Sequence, residues 1–372
     1  MRNLFLLILA LAVAIGAWQV ARHKAPTTES VSADFLPGFL AKINDTTSIE
    51  VKSKDGTLVI ARQGEHWVAK SYDDYPVKSD AVKQALVQLA SLKIIEAKTS
   101  KPEKYAQLGV EDVTASTAGG RLVTLKAKDA TQASVIIGKQ HAAKTAGAPR
   151  YYVRRAGEAS ATLVEGELAF SDKANDWVDT AVVDLPVERV RQVTVVPQGE
   201  SPIVVSKASP EVQLYDLAQM PAGFEVKARA TVSSIGGILL DAKFERVIAA
   251  GKLAGLTPRA MATVETFDGL TATIERYEFN SAAYLTFKFA HTPEKAVASK
   301  PPTPATKDSP SPPPSALKKP EEVAQEVTRL NTKLNAWAYG LPEYKSRLLD
   351  KKLAELITKK APPAKASGEV KK

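Results

Sequence analysis

From Ser48 to Lys70 apolar and polar residues take turns along the chain: Ile49 and Val51, a break at Asp55-Gly56, then Leu58 and Ile60. Period-two alternation on both sides of an Asp-Gly step predicts a β-hairpin, and Trp67-Val68 predicts a third short strand. At Ser79 the period lengthens. Val82, Leu86, Leu89 and Leu92 recur at helical spacing behind a serine N-cap, which predicts an amphipathic helix. Ile94-Ile95 restart a strand, and Leu122–Leu125, Val135–Ile137 and Tyr151–Val153 predict three more.

The same order then returns. Val193 and Val195, a turn at Gln198-Gly199, and Ile203 and Val205 repeat the hairpin, with Val212–Tyr215 in the place of the Trp67 strand. Val232, Leu239 and Lys243 each stand 150 residues after Val82, Leu89 and Lys93. The run LAGLTPRAMATV (253–264) answers YAQLGVEDVTAST (105–117), and Thr271–Ile274 and Tyr284–Phe289 close the set. The offset stays between about 144 and 151 across six elements, which predicts one domain written twice with a period near 147. Solenoid repeats are about 20–50 residues long, so each copy is read as a full domain.

Outside the copies the pattern changes. Asp172–Asp179 predicts a short helix; its acids lack the oxygen-ligand spacing and glycine of a calcium loop. Residues 291–320 are a Pro-rich spacer expected to be extended. Val323, Val327, Leu330, Leu334 and Trp337 then form an amphipathic stripe, Gly340 and Pro342 break it, and a second helix is expected from Tyr344 through Leu348, Leu353 and Ile357. Such helices dock on the body of the protein or on a partner. In the second case Trp337, Tyr339 and Tyr344 are the candidate partner contacts.

The amino-terminal segment is apolar almost without a break from Leu4 to Trp18 and on to Ala21, long enough to cross a bilayer once as a helix. Trp18 stands at the interface position and Arg22, His23 and Lys24 follow. Small residues at Ala12, Ala14 and Ala17 leave a cleaved signal peptide as the alternative. The short polar head favours an N-in signal-anchor with the body exported. The expected division is therefore an anchor (1–24), a connector (25–44), two α+β repeat domains (45–170 and 171–290), a tether (291–320), a helical tail (321–360) and a disordered basic end (361–372). Each repeat domain is expected to be a mainly antiparallel sheet with one packed helix.

Charge and candidate chemistry narrow the function classes. Of the net +9, a surplus of seven positive charges falls from His291 onward, leaving the first 290 residues close to neutral. A basic Pro-rich tail reads as a solvated spacer, and the folded part shows no basic patch with interleaved aromatics, so no nucleic-acid partner is expected. The chain has no cysteine, which removes disulfides, thiol nucleophiles and Cys-ligated zinc. His23, His66, His141 and His291 stand in separate segments, and no motif of metal hydrolysis, nucleophilic catalysis or phosphate binding occurs. No catalytic, metal or cofactor residue is assigned, no cofactor is expected, and the protein is read as a non-enzyme.

Several stretches together resemble one bacterial family, known as domain-of-unknown-function family 4340. They are the apolar amino terminus, GEHWVAK (64–70) with Trp67, the helix Val82–Leu92, Leu108-Gly109, Gly138, and LNAWAYGLPEYKSRLLDKKLAEL (334–356) with Trp337, Tyr339, Pro342 and Tyr344. The resemblance spans nearly the whole chain except the Pro-rich spacer. It implies a membrane-anchored envelope protein of a family often encoded beside ABC-type exporter components of the gliding-motility type, and it carries no catalytic residues. The expected function is thus a non-catalytic accessory or scaffold subunit of an ABC-type export complex. The alternative is an envelope module binding glycan or lipid between its two domains.

Overall fold

Alternating segments of the first half become strands, and the helical-period segment becomes a helix. In chain order they are β1 (Ser48–Ser53), β2 (Gly56–Gln63), β3 (His66–Ala69), β4 (Tyr75–Val77), α1 (Ser79–Ala90) and β5 (Lys93–Thr99). There follow α2 (Tyr105–Leu108), β6 (Arg121–Ala127), β7 (Ala130–His141), β8 (Arg150–Arg155) and β9 (Ala161–Glu165). The second half holds β10 (Ala181–Val183), β11 (Val190–Pro197), β12 (Ile203–Ser206), β13 (Asp216–Leu217), β14 (Phe224–Val226), α3 (Arg229–Gly236), β15 (Ala242–Lys243) and β16 (Arg246–Ala249). It continues with β17 (Ala260–Thr266), β18 (Leu270–Phe279), β19 (Ala282–His291), α4 (Pro320–Leu334) and β20 (Trp337–Gly340). Last come α5 (Glu343–Ser346), α6 (Leu353–Leu356) and β21 (Ile357–Lys359).

The computed structural model describes residues 33–142, 147–296 and 317–360. The expected membrane span at Leu4–Ala21, most of the Pro-rich spacer and the basic end lie outside the described residues. Among the described residues no helix is long and apolar enough to cross a membrane. The fold is mixed α+β, with antiparallel sheets and few helices.

The chain forms two compact units. One takes the described part of Met1–Thr57 and Lys83–Asp172; the other takes Leu58–Val82 and the described part of Lys173–Lys372. In the first, strands run in the order β1-β6-β7-β8-β9-β5. Ile49 and Val51, Val123 and Leu125, Val135 and Ile137, and Val153 point to one side and are buried. Strand β9 is invisible to alternation because Ala161, Thr162, Leu163 and Val164 are buried on both faces. The step at Leu108-Gly109 packs so tightly on β6 and β7 that a Cβ on Gly138 would lie 2.4 Å from the Leu108 carbonyl oxygen. That approach seats Val110 against Ile136 and Ala161.

In the second unit the main sheet runs β13-β12-β11-β17-β18-β19-β20-β16. Its edge strand β16 is covered by the loop before β4. The Ala249 N–H donates to Asp73 Oδ2 (3.0 Å), and the Tyr72 hydroxyl and Asn175 Nδ2 both donate to the Glu245 carbonyl. Open strand edges invite pairing with other chains, and these side chains occupy this one.

The carboxyl-terminal segment folds differently from the two helices expected. The stripe Val323–Leu334 lies on α4, but Trp337 does not extend it. Residues Trp337–Gly340 pair with β16, from Ala249↔Trp337 to Arg246↔Gly340, and Tyr339 also pairs with Leu285 of β19. Backbone groups along β16 find their ladder partners there, and that outweighs one more helical turn. Past Pro342 the expected second helix is divided into α5, a 3-10 turn (Arg347–Asp350), α6 and β21, with Leu349 and Leu356 drawn into the core. The second unit therefore does not end at residue 290. Its sheet is completed by a strand from beyond the spacer. Between the halves, the helix expected over Asp172–Asp179 is only a 3-10 turn, Ala174–Asp176, closed by the buried Trp177.

A buried ionic cluster holds α4 in place. Arg189 is 1% exposed; its Nε donates to Asp268 Oδ2 (2.7 Å), and its Nη1 and Nη2 donate to the two Glu326 oxygens (3.1 and 2.8 Å). Thr266 Oγ1 donates to Asp268 Oδ1, the Lys318 N–H to Asp268 Oδ2, and Lys318 Nζ pairs with Glu326 Oε1 (2.9 Å). Burial alone would raise both carboxyls. Hydrogen bonds from Arg189, with Thr266 and the Lys318 N–H at Asp268 and the Lys318 side chain at Glu326, overcome it and hold both below the usual carboxylate range.

Both carboxyls sit lower in the folded chain than in the unfolded one. They therefore contribute stability above their unfolded values, near about 4, and lose it as the pH falls through the lower folded values. Acid titration monitored by circular dichroism should show the unit loosening only below about pH 4. Arg189→Met, which strands two buried anions, should raise that midpoint and cost about 3–5 kcal/mol in urea melts; a variant as stable as its parent would remove the cluster from this role. The Thr292 N–H donates to the Gly269 carbonyl and the Lys318 N–H to the neighbouring Asp268, so the chain enters and leaves the spacer at one turn. Replacing residues 298–316 by a short Gly-Ser link should shift stability by less than about 1 kcal/mol, because loop closure depends weakly on length. A larger loss in the same melts would show that the spacer itself packs.

Candidate functional site

Along β18 the residues Leu270, Ala272 and Ile274 turn to the core, and Thr271, Thr273 and Glu275 turn outward. Strand β19 answers in register, with Thr273 opposite Lys288 and Glu275 opposite Thr286, while Phe287 and Phe289 are buried. Further out on the same face, Thr263 stands opposite Thr194 and Thr273, and Val196 and Met261 are exposed as a pair. This face of the second sheet is polar and rich in threonine.

Beyond its pairing with β20 at Leu285, the edge of β19 is closed by a side chain instead of a strand. The Phe289 N–H donates to Asn331 Oδ1 (2.9 Å), and Asn331 Nδ2 donates back to the Phe289 carbonyl (2.8 Å). The Asn331 amide thus copies one rung of a β-ladder. Where α4 ends and the chain turns into β20, a cleft of about 360 Å³ opens beside β18 and β19, flanked by Asn335 and Trp337. At its Glu275 side the Tyr277 hydroxyl donates to Glu275 Oε2 (2.7 Å), and Thr286 Oγ1 lies 3.5 Å from the same oxygen. Burial, with the Glu275 carboxylate alongside, pushes the Tyr277 phenol up to about 12.

The three residues singled out from the sequence are separated by the fold. Trp337 is half-buried, lines the cleft and packs edge-on against Tyr75, ring centres 4.8 Å apart. Tyr339 is fully buried among Phe244, Phe287 and Tyr75, so its side chain offers no surface to a partner. Burial pushes its phenol above the ordinary tyrosine value. Tyr344 is 71% exposed on α5. Among the described residues no group of three or more His, Asp or Glu side chains could hold a metal ion.

Sequence reasoning missed Thr273, Glu275, Thr286, Lys288, Asn331 and Asn335. The alternation in TATIERYEF and AAYLTFKFAH puts the first four on outward faces, but only the pairing register brings them side by side. For Asn331 the prediction is direct: Asn331→Ala leaves the Phe289 N–H and carbonyl unpaired and should cost about 1–3 kcal/mol. Denaturant melts and faster hydrogen exchange at the Phe289 amide would measure it, and an unchanged exchange rate would contradict it.

No curated protein and no solved structure matches the chain. A family model described as "Domain of unknown function (DUF4340)" matches residues 67–262, more than half of the 372. The match runs from β3 into β17 and includes Trp67, α1, Leu108-Gly109 and Gly138; the cleft lies wholly outside it. On that match the chain belongs to the DUF4340 family.

Proposed function

We propose that this protein is a non-catalytic component of the bacterial envelope. In this reading it is two copies of one domain held on the periplasmic side of the inner membrane by the Leu4–Ala21 segment, serving as an accessory or scaffold subunit of an ABC-type export complex. Strand order supports the two copies. The run β1-β6-β7-β8-β9-β5 in one unit and β11-β17-β18-β19-β20-β16 in the other have the same antiparallel order, with α1 and α3 each preceding the final strand in sequence. Each unit also has a small satellite cluster, Tyr105, Val110, Ile136 and Ala161 in one and Leu253, Tyr284 and Ala338 in the other.

The observation that carries the scaffold reading is the setting of Tyr344. Its neighbour Lys345 is buried, with Nζ donating to the carbonyls of Ile238 (3.2 Å) and Leu240 (2.5 Å), so the base of the aromatic is fixed. Leu240 is itself 42% exposed. A large aromatic held out to water on an anchored segment has the character of an interface hot spot. The buried charges of the Arg189 cluster, by contrast, are engaged in holding α4. A second reading, an envelope module for glycan or lipid, is favoured by the cleft beside Trp337 with its convergent polar groups.

Gentle-detergent purification of the full-length protein from membranes should bring an ABC-type permease or ATPase with it. Tyr344→Ala should weaken that association by about 2 kcal/mol or more while leaving the fold intact. Truncation near Ala290 is unsuitable as a control, since it removes Glu326 and β20. A preparation free of transporter subunits sinks the scaffold reading.

A further inference from the structure

The turns Lys54-Asp55, Lys128-Asp129, Gln198-Gly199 and Asn280-Ser281, which join strands of the sheets, are polar, as turns facing water usually are. The loop from β13 to β14 is apolar instead. Met220 is 36% exposed, Pro221 and Ala222 are exposed, and Phe224 is half-buried. Its tip has a fixed shape. The Phe224 N–H donates to the Pro221 carbonyl (3.1 Å), and Gly223 has φ +80°, the left-handed value that a type II turn requires at that position. A turn this tight leaves its apolar side chains outside.

Basic residues stand at the base of the turn. Strand β14 pairs with β21, so Lys359 lies directly across from Phe224, and the Lys360 N–H donates to the Gly223 carbonyl (2.9 Å). At the other end of this ribbon the Lys227 N–H donates to the Leu356 carbonyl (2.8 Å). All three lysines are exposed, and among the described residues none of their ammonium groups has a hydrogen-bond or ion-pair partner. Glu225 is the one acid on the ribbon, while the nearby Lys351 and Lys352 are neutralised by Glu355 and Glu200. Beyond Lys360 the sequence adds Lys365, Lys371 and Lys372 against Glu369.

An apolar tip above unpaired cations suits the boundary between lipid head groups and acyl chains. The tip can enter the apolar layer, the lysine stems lie along it, and the ammonium groups stay at the phosphates. The convex turn has no groove for a small ligand, and it offers no exposed aromatic on which a base could stack. We infer that the 218–224 loop and the lysines of the β14–β21 ribbon form a contact for a bilayer surface that carries anionic phospholipid. The inference goes beyond the scaffold and ligand readings, and it does not require Leu4–Ala21 to span a membrane.

The chain has no cysteine, so Ala222→Cys in the full-length protein takes a single nitrobenzoxadiazole label at the tip. The labelled protein is placed in phosphatidylcholine nanodiscs with or without phosphatidylglycerol, and vesicles of the same two compositions are added in separate samples. A chain that does not enter discs is tested on the vesicles alone. Phosphatidylglycerol should shift the emission to the blue, and brominated lipid should quench it. Both effects should fade near about 1 M salt, where the Debye length is about 3 Å. Lys227→Ala, Lys359→Ala and Lys360→Ala should each lower the affinity for phosphatidylglycerol vesicles by about fivefold. Met220→Ser should reduce the quenching. These side chains lie at the surface, so unchanged melting curves are expected and would separate lost binding from lost fold. A response to the disc lipid places the loop on the membrane that holds the chain, and a response to vesicles alone places it on a facing one. The inference is overturned if the label keeps its aqueous emission throughout, or if phosphatidylcholine alone acts as strongly. It is equally overturned if the lysine variants bind like the parent, or if heparin without lipid gives the same shift, which would make the ribbon a general polyanion site.

Discussion

The guanidinium of Arg189 stays protonated at any accessible pH and is shut away from water, so the second unit has to bring anions to it. Asp268 arrives from the β17–β18 turn and Glu326 from α4, and Lys318 balances the second carboxylate. A buried ion pair of this kind is weak evidence for net stability but strong evidence for a required arrangement, since losing either partner strands a charge. The position of α4 is therefore specified by charge as well as by the burial of Val323, Leu330 and Leu334.

Much else depends on where α4 lies. With the helix seated, Asn331 reaches the edge of β19 and satisfies the Phe289 backbone, and the chain emerging from α4 runs directly into β20. Strand β20 then separates β19 from β16 and carries Tyr339 into the aromatic core. The cleft exists because α4 and β20 diverge from β19 at this point. A chain segment that local pattern presents as an appendage is thus a structural member of the second unit.

The distribution of polar groups separates structure from recognition. Arg189, Asp268, Glu326 and Lys345 are buried and fully engaged with protein partners. Lys288, Glu275 and Thr273 lie on the outward face of the same sheet, and Tyr344 stands out to solvent. Alternation along β18 and β19 produces this split: one set of side chains forms the core, and the next set is available to bind.

Local periodicity determined a large part of the fold on its own. Ile49, Val51, Leu58 and Ile60 are buried strand residues, and Val82, Leu86 and Leu89 form the buried side of α1, as their spacing requires. The close packing at Leu108-Gly109 was legible as a motif, though not as the contact with Gly138 that explains it. Other features depend on residues far apart in the chain. Trp337 follows Leu334 at helical spacing, and only the unpaired backbone of β16 makes that stretch a strand. Arg189 meets partners 79 and 137 residues away, a pairing that no local pattern records. The cleft likewise needs the register of β18 on β19 and the docked end of α4. Side-chain period is a property of neighbouring residues and can be read from the chain; edge satisfaction, charge pairing and register are set when distant segments meet, so only the tertiary structure decided them.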